Sequence, residues 1–468
     1  MRDRDGKPDA PVAQSETQAF TDALASYYTD THFFRWLYET SYGVEASTNL
    51  RDWSAYWNGV TIQKRGGAIT FRHDAGASPE NMWISSSRIL GQMSAAYLWS
   101  SNRLAAKLAE QYAKGLSATM LGMAWDANDP LRSIMARAVI AKSHTILREG
   151  KTAFVDYDAW RTAHDAWNTQ TIFVAQNPYW PEAWVQNTRS KDDVPHIYLA
   201  TAILPHLASF ADDLAIRTTA RETYDLMRGF TKDVAEHGYW IRSKRADGSL
   251  FYPGLYPSDD RLSTISNFAM SAVYPKVECP ARLATALIAD ERPHGEDCGD
   301  GLTRAADLVG AEGNFYNYEI QATFHLAAAM IASEQGLDAD ALVRGLWSRA
   351  DFDLNLKDDE IPGGEVAKWR GKLAVFIVYA AAAGMPVPAH AIRFVYEQFS
   401  VALARLRTFP AYDPWSLPDG DYPLHPKGEV IGTDAVGAFF WYCWSPYRAA
   451  GDPIVDCDRL RSAVAASE

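Results

Sequence analysis

Apolar side chains recur every three or four positions along most of this chain. Leu90, Met93, Ala96 and Tyr97 mark one face of a helix from about Ser85 to Ser100, and Leu104, Leu108, Tyr112, Leu116 and Met120 repeat the spacing almost at once. The same period returns at Ala220, Thr223, Met227, Phe230 and Val234, and again at Ile320, Phe324, Ala327 and Ile331. Further helices are expected to begin near Pro195, Pro280, Ala339, Lys368, Pro388 and Asp434. The pattern therefore predicts roughly a dozen helices, often in adjacent pairs, without a cluster of strands between them.

Two places break the helical period. Val60 to Lys64 and Ala68 to Arg72 alternate around Arg65-Gly66-Gly67, a strong turn signal. Tyr239 to Ser243 and Ser249 to Tyr252 flank Ala246-Asp247-Gly248, after a helix that Gly238 is placed to stop. No strict internal repeat occurs, which argues against a consensus solenoid.

Composition narrows the class. With 468 residues and 47% hydrophobic content the chain can bury a large core. The net charge of −13 and the absence of a Lys/Arg run argue against nucleic acid as a partner. The longest apolar run, Leu373 to Met385, is too short for a membrane span and reads as a buried helix, so a soluble protein is expected. Met1 to Pro8 is polar and lacks a signal-peptide core. It is expected to be a loose tail, or the remainder left once an export signal is gone. The four cysteines fall into two local pairs, Cys279 with Cys298 and Cys443 with Cys457. That arrangement favours disulfides in an oxidising, periplasmic or extracellular compartment, although a cytoplasmic protein with four thiols is the alternative.

Four segments gather polar, aromatic and turn residues just ahead of an expected helix, where free N–H groups and the positive dipole end favour anionic or polar ligands. The first runs from Arg72-His73-Asp74 to Asn81-Met82-Trp83, and its serines equally suit N-caps. The second and richest holds Tyr179, Trp180 and Trp184, then Asn187, Arg189, Lys191, Asp192, Asp193, His196 and Tyr198. Asp192 or Asp193 can cap the helix with Pro195 in its first turn. The third, Glu312 to Glu319, places Asn317, Tyr318 and Glu319 at a helix start, with His325 further down as a hydrogen-bonded core residue. The fourth, Tyr412 to Asp434, includes Trp415 and is longer than a plain connection needs.

Paired helices, small hairpins and long aromatic loops resemble the (α/α) toroids of glycoside hydrolases and polysaccharide lyases. The likeness is architectural and covers most of the chain, without a family signature. It implies an all-α (α/α)6-type toroid over residues 16–450, between tails at 1–15 and 451–468, around an aromatic-lined pocket. Flat rings in such loops suit sugar faces, so an oligo- or polysaccharide is the expected partner.

Motifs exclude several other toroid chemistries. The chain lacks the D-x-D-D acid of class II terpene cyclases and the D-D-x-x-D magnesium site of class I enzymes. HExxH is absent, and Asp351-Phe352-Asp353-Leu354-Asn355 begins like a calcium loop but has Leu356 where glycine is required. No metal and no cofactor is expected. Two carbohydrate mechanisms remain. Hydrolysis needs two carboxyls, ~6.5–9.5 Å apart in an inverting pair, for which Asp192, Asp193, Glu319 and Asp434 are candidates. A lyase needs a Tyr or His base beside a uronic carboxylate, with Asn or Arg to neutralise it; His196 and Tyr198 with Asn187 and Arg189 have those types. Trp180, Trp184, Asn317, Tyr318, Trp415, His73 and Asn81 complete the expected binding surface. The acidic composition favours hydrolysis over elimination, and a non-catalytic glycan-binding protein is the third reading.

Overall fold

The computed structural model describes residues 9–40, 42–44, 53–55, 60–73, 82–124, 134, 136, 138–141, 145–148, 151–155, 171–173, 177, 183–186, 193–244, 248–251, 275–289, 315–361, 366–407, 416–423, 431–432, 435–449, 451 and 453–467. The protein is mostly helical. Helices α1 (Gln14–Asp30) and α2 (Phe33–Thr40) precede α3 (Met82–Ser100) and α4 (Arg103–Leu121), the adjacent pair foreseen from the spacing. Helix α3 starts at Met82, so Ser85, Ser86 and Ser87 lie inside it and are buried instead of forming its cap.

Helices α5 (Val194–Thr201), α6 (Leu204–Phe210) and α7 (Leu214–Glu236) follow. All five residues of the α7 stripe, Ala220, Thr223, Met227, Phe230 and Val234, are buried. Asp213 caps its start by accepting from Ala215 N at 2.7 Å. At its end Gly238 takes φ +66°, and Tyr239 N donates back to Val234 O at 2.8 Å. That is the left-handed stop a glycine makes cheaply. The remaining helices are α8 (Pro275–Ala289), α9 (Phe315–Glu334), α10 (Asp340–Asn355), α11 (Val366–Ala382), α12 (Ala389–Leu406), α13 (Ala438–Trp444) and α14 (Cys457–Ala466). Asp351 to Asn355 is the last turn of α10, where Asp353 pairs with Arg349 at 2.7 Å.

Packing follows a simple order. Helix α3 packs on α5, α5 on α9, α9 on α11, α11 on α13, and α13 back on α3. Around them α4 lies against α3, α8 against α9, α10 and α12 against α11, and α14 against α3. Helix α3 is buried at every position from 83 to 96. Its approach to α13 depends on two glycines that exchange side chains. A Cβ on Gly91 would lie 2.1 Å from Trp441 Cζ3, and one on Gly437 would lie 2.2 Å from Gln92 Oε1. Each glycine is the socket for a large side chain of the opposite segment.

The strands exceed the two hairpins foreseen. Strands β1 (Tyr42–Val44) and β2 (Trp53–Ala55) pair with each other. Strands β3 (Val60–Arg65) and β4 (Ala68–His73) form the first expected hairpin, turning at Gly66 and Gly67 with φ +56° and +83°. They sit inside a five-stranded sheet. In it β7 (Lys151–Val155) runs parallel to β4, β6 (Thr145–Arg148) pairs with β7, and β12 (Gly420–Pro423) pairs with β3. Strands β5 (Ala138–Ala141), β8 (Thr171–Phe173) and β9 (Ala183–Gln186) form a second sheet. Strands β10 (Ser243–Lys244) and β11 (Leu250–Phe251) make the second expected hairpin. The described part of the long 412–434 loop thus enters a sheet through β12.

The first and last described segments are tied into the fold. Asp9 accepts from His390 N at 3.2 Å, and Arg393 donates to the carbonyls of Ala10 and Pro11. Cys443 and Cys457 form the disulfide foreseen for that pair, joining α13 to α14; Cys298 of the other pair lies outside the described residues. Bridging cysteines 14 positions apart restricts the unfolded chain by roughly 3 kcal/mol. The Cys443→Ala, Cys457→Ala double variant is accordingly expected to lose about that much unfolding free energy in urea titration. A change of only a few tenths would show that α14 holds α13 without the bond.

Among the described residues, no helix is long and apolar enough to cross a membrane.

Candidate functional site

The helices that pack in sequence α3, α5, α9, α11 line a partly open cavity. Helix α3 contributes Arg88 and α5 contributes His196 and Leu199. Helix α9 adds Ala322, Thr323 and Leu326, while α11 adds Lys372, Val375, Phe376 and Tyr379. The α11 positions follow the i, i+3, i+4, i+7 spacing of a single helix face. Apolar side chains thus form much of the wall, and a guanidinium, an ammonium, an imidazole, a phenol and a hydroxyl supply its chemistry. Among the described residues that line it, none is a carboxylate.

Tyr379 is fixed from behind. Gln92, one turn along α3 from Arg88, donates from Nε2 to the phenol oxygen at 2.7 Å. Trp441 presents an edge to the Tyr379 ring, with centroids 5.9 Å apart and planes at 68°. Gln92 is fully enclosed, so the contact is sheltered from water, where such bonds matter most.

The residues singled out from the sequence are distributed unevenly. His196 lines the cavity. Asp193 lies one turn earlier at the head of α5, with Pro195 in the first turn as foreseen. It does not cap the helix through its side chain; its carboxylate is buried within the protein. Tyr198 is buried but directed elsewhere: its hydroxyl meets Thr285 Oγ1 at 3.0 Å and its ring meets Phe324 edge-on. Burial there pushes the phenol well above its ordinary range, opposed by its hydrogen bond to Thr285, so Tyr198 is a poor base where it stands.

Glu319, Asn317 and Tyr318 belong to the start of α9, Trp184 to β9 and His73 to the end of β4, at the level of the backbone. Asp192, Asp434, Trp180, Asn187, Arg189, Trp415 and Asn81 lie outside the described residues. Arg88, Gln92, Thr323, Lys372 and Tyr379 were not singled out. Their signal was a polar residue inside an apolar helical run, most clearly Tyr379 within Leu373 to Met385. A buried phenol in such a run needs a partner for its hydroxyl.

His325 faces away from the cavity, onto α10. It is hydrogen-bonded to the Leu342 backbone, and burial lowers its pKa from 6.5 to about 4. Between those values the unfolded chain takes up a proton that the folded chain refuses. Stability therefore falls as pH drops from about 7 towards 4, then levels off, for a loss of about 3 kcal/mol. Urea titrations of the protein and of His325→Gln should differ in pH slope across that window, the variant being flatter. Parallel slopes would show that His325 is protonated equally in both states.

A wider cleft of about 680 Å³ runs between the first turn of α1 and the start of α14, past Tyr442 and Arg448. Of its acids, Asp456 is committed to capping α14 through Arg459 N. No family model, no curated protein and no solved structure matches the chain.

Proposed function

We propose that this chain is an (α/α) toroid whose central cavity takes a saccharide, and that the reaction there is β-elimination from a uronic-acid residue. The toroid reading is supported by the packing order that leaves α3 through α5, α9, α11 and α13 and returns to α3, with other helices outside it. The single observation that carries the chemistry is that Arg88, Lys372, His196 and Tyr379 all line the same cavity.

Those groups fit the needs of the reaction. The proton α to a carboxylate is weakly acidic because its removal loads further negative charge onto that carboxylate. Two cations on the wall offset the charge as it develops, which is where an enzyme gains rate. Tyr379 or His196 takes the proton from C5, the electron pair becomes the C4–C5 double bond, and the C4–O bond breaks. The other of the two returns a proton to the departing oxygen, so no co-reactant is required. Phe376 supplies an aromatic surface beside them. Hydrolysis was favoured by composition, but it would need carboxyls where the described wall presents cations. The Cys443–Cys457 bond supports an exported protein.

The test is a product screen of the purified protein on polyuronates and neutral oligosaccharides. Unsaturated-uronate absorbance from polyuronates alone is the expected result. Reducing ends without that absorbance would replace elimination by hydrolysis. Thermal stabilisation without product would leave a binding protein, and no response to any sugar would end the carbohydrate reading.

A further inference from the structure

Tyr379 and His196 are both placed to act on a ligand in the cavity, and the surroundings of Tyr379 separate their roles. Gln92 approaches the phenol with its amide nitrogen, at 2.7 Å, so it acts as donor and Tyr379 Oη as acceptor. The direction matters because an acceptor phenol does not spend its own O–H on that contact, and its phenolate form keeps the bond. On the other side of the amide, Gln92 Oε1 is buried without a hydrogen-bond partner among the described residues. Gln92 Oε1 lies against Gly437, where a Cβ would stand 2.2 Å from Oε1 and 2.6 Å from Cδ. An oxygen can rest against the α-hydrogens of a glycine as a weak acceptor. An NH₂ turned to that side would waste two donors on C–H.

Gly437 has φ −70° and ψ −8°, ordinary right-handed backbone, so alanine would suit its conformation and only the space for Gln92 forbids it. The neighbouring socket works in the same sense. Gly91 admits Trp441, and Trp441 sets its edge on the Tyr379 ring.

We infer that Gln92 is a positioning residue for Tyr379, clamped by Gly437 so that its Nε2 donates to the phenol oxygen and makes Tyr379, in preference to His196, the group that takes the proton. The elimination chemistry in this statement rests on the proposed function; the clamp itself does not. Two consequences follow from the geometry. Removing the donor destabilises the phenolate relative to the phenol, so the titration of Tyr379 moves to higher pH. Filling the Gly437 socket displaces the amide and has the same effect without touching either partner.

The clamp is tested without substrate by placing fluorotyrosine at position 379 of the full chain and following its fluorine resonance against pH. Gln92→Leu is expected to raise the midpoint by about one unit or more, a tenfold change in the ionisation constant. Gly437→Ala is expected to move it in the same direction. Combining the two should add nothing beyond Gln92→Leu alone, because both remove one bond. Gln92→Met offers a second way to remove the donor if the leucine variant fails to fold, and a folded Gly437→Ala protein reports independently of both. An unmoved midpoint in the folded Gln92 variant would overturn the inference. So would a Gly437→Ala shift that adds in full to the Gln92→Leu shift.

On polyuronate, Gln92→Leu should carry the alkaline shift into the pH profile of kcat and change KM less than twofold. A uniform loss of kcat at every pH would mark a merely structural role and contradict the assignment. A wild-type protein that forms no unsaturated product would remove the proposed function, while the fluorine titration would still decide the clamp.

Discussion

Replacing Arg88 with glutamine is expected to lower kcat on a uronate oligosaccharide by about 10²–10³-fold, with a much smaller change in KM. The asymmetry has a physical origin. In the proposed reaction a bound uronate already carries one negative charge, which Lys372 and Arg88 would share. The charge that appears when the C5 proton leaves has no counterpart in the ground state, so a lost cation costs most at the transition state. Arg88 is itself buried on the wall, where charge interactions are stronger than in water. Arg88→Lys keeps the charge but loses the planar fork, and should fall between the two. Steady-state kinetics on variants with unchanged urea midpoints checks this. An unchanged kcat in the folded Arg88→Gln protein would show that Arg88 does not meet the developing carboxylate charge.

Trp441→Ala should lose about 3–5 kcal/mol of unfolding free energy, the usual cost of emptying a buried aromatic site. Its ring fills the Gly91 socket, borders Tyr379 and meets Trp444 edge-on at 6.3 Å. The backbone of α3 cannot collapse into that space readily, because α3 is enclosed on all sides by other helices. Gly91→Ala attacks the same contact from the other side and forces Trp441 to move. Since both changes act on one contact, the double variant should fall well short of the sum of the two losses. Urea titration reads all three proteins. A Trp441→Ala loss below ~1 kcal/mol would mean that the two segments pack without depending on this ring.

The helices were legible because their apolar stripes extend over many turns, as the α7 stripe shows residue by residue. Both glycine-marked hairpins were legible for a related reason, since a turn type demands particular residues at fixed offsets. Strands β5 to β9 were not. Each is three to five residues long, too short to show a period, and their pairing is set by distant chain. Strand β7 lies parallel to β4, and β12 reaches β3 from the far end of the sequence. The site was partly legible. Clusters of aromatic and charged residues in loops drew attention to the segment holding His196, which does line the cavity. The chemical wall itself comes from helices α3 and α11, whose polar residues are dispersed in apolar runs. Local sequence density cannot reveal groups that only tertiary packing brings together, and Arg88 and Lys372 are nearly three hundred positions apart.

The most direct test of the cavity as the reaction site is a crystal structure of Tyr379→Phe soaked with a uronate trisaccharide. The expected result places one sugar carboxylate between Arg88 and Lys372, with the C5 hydrogen facing the ring at position 379. A trisaccharide bound instead in the cleft between α1 and α14, with the cavity closed to it, would contradict the account.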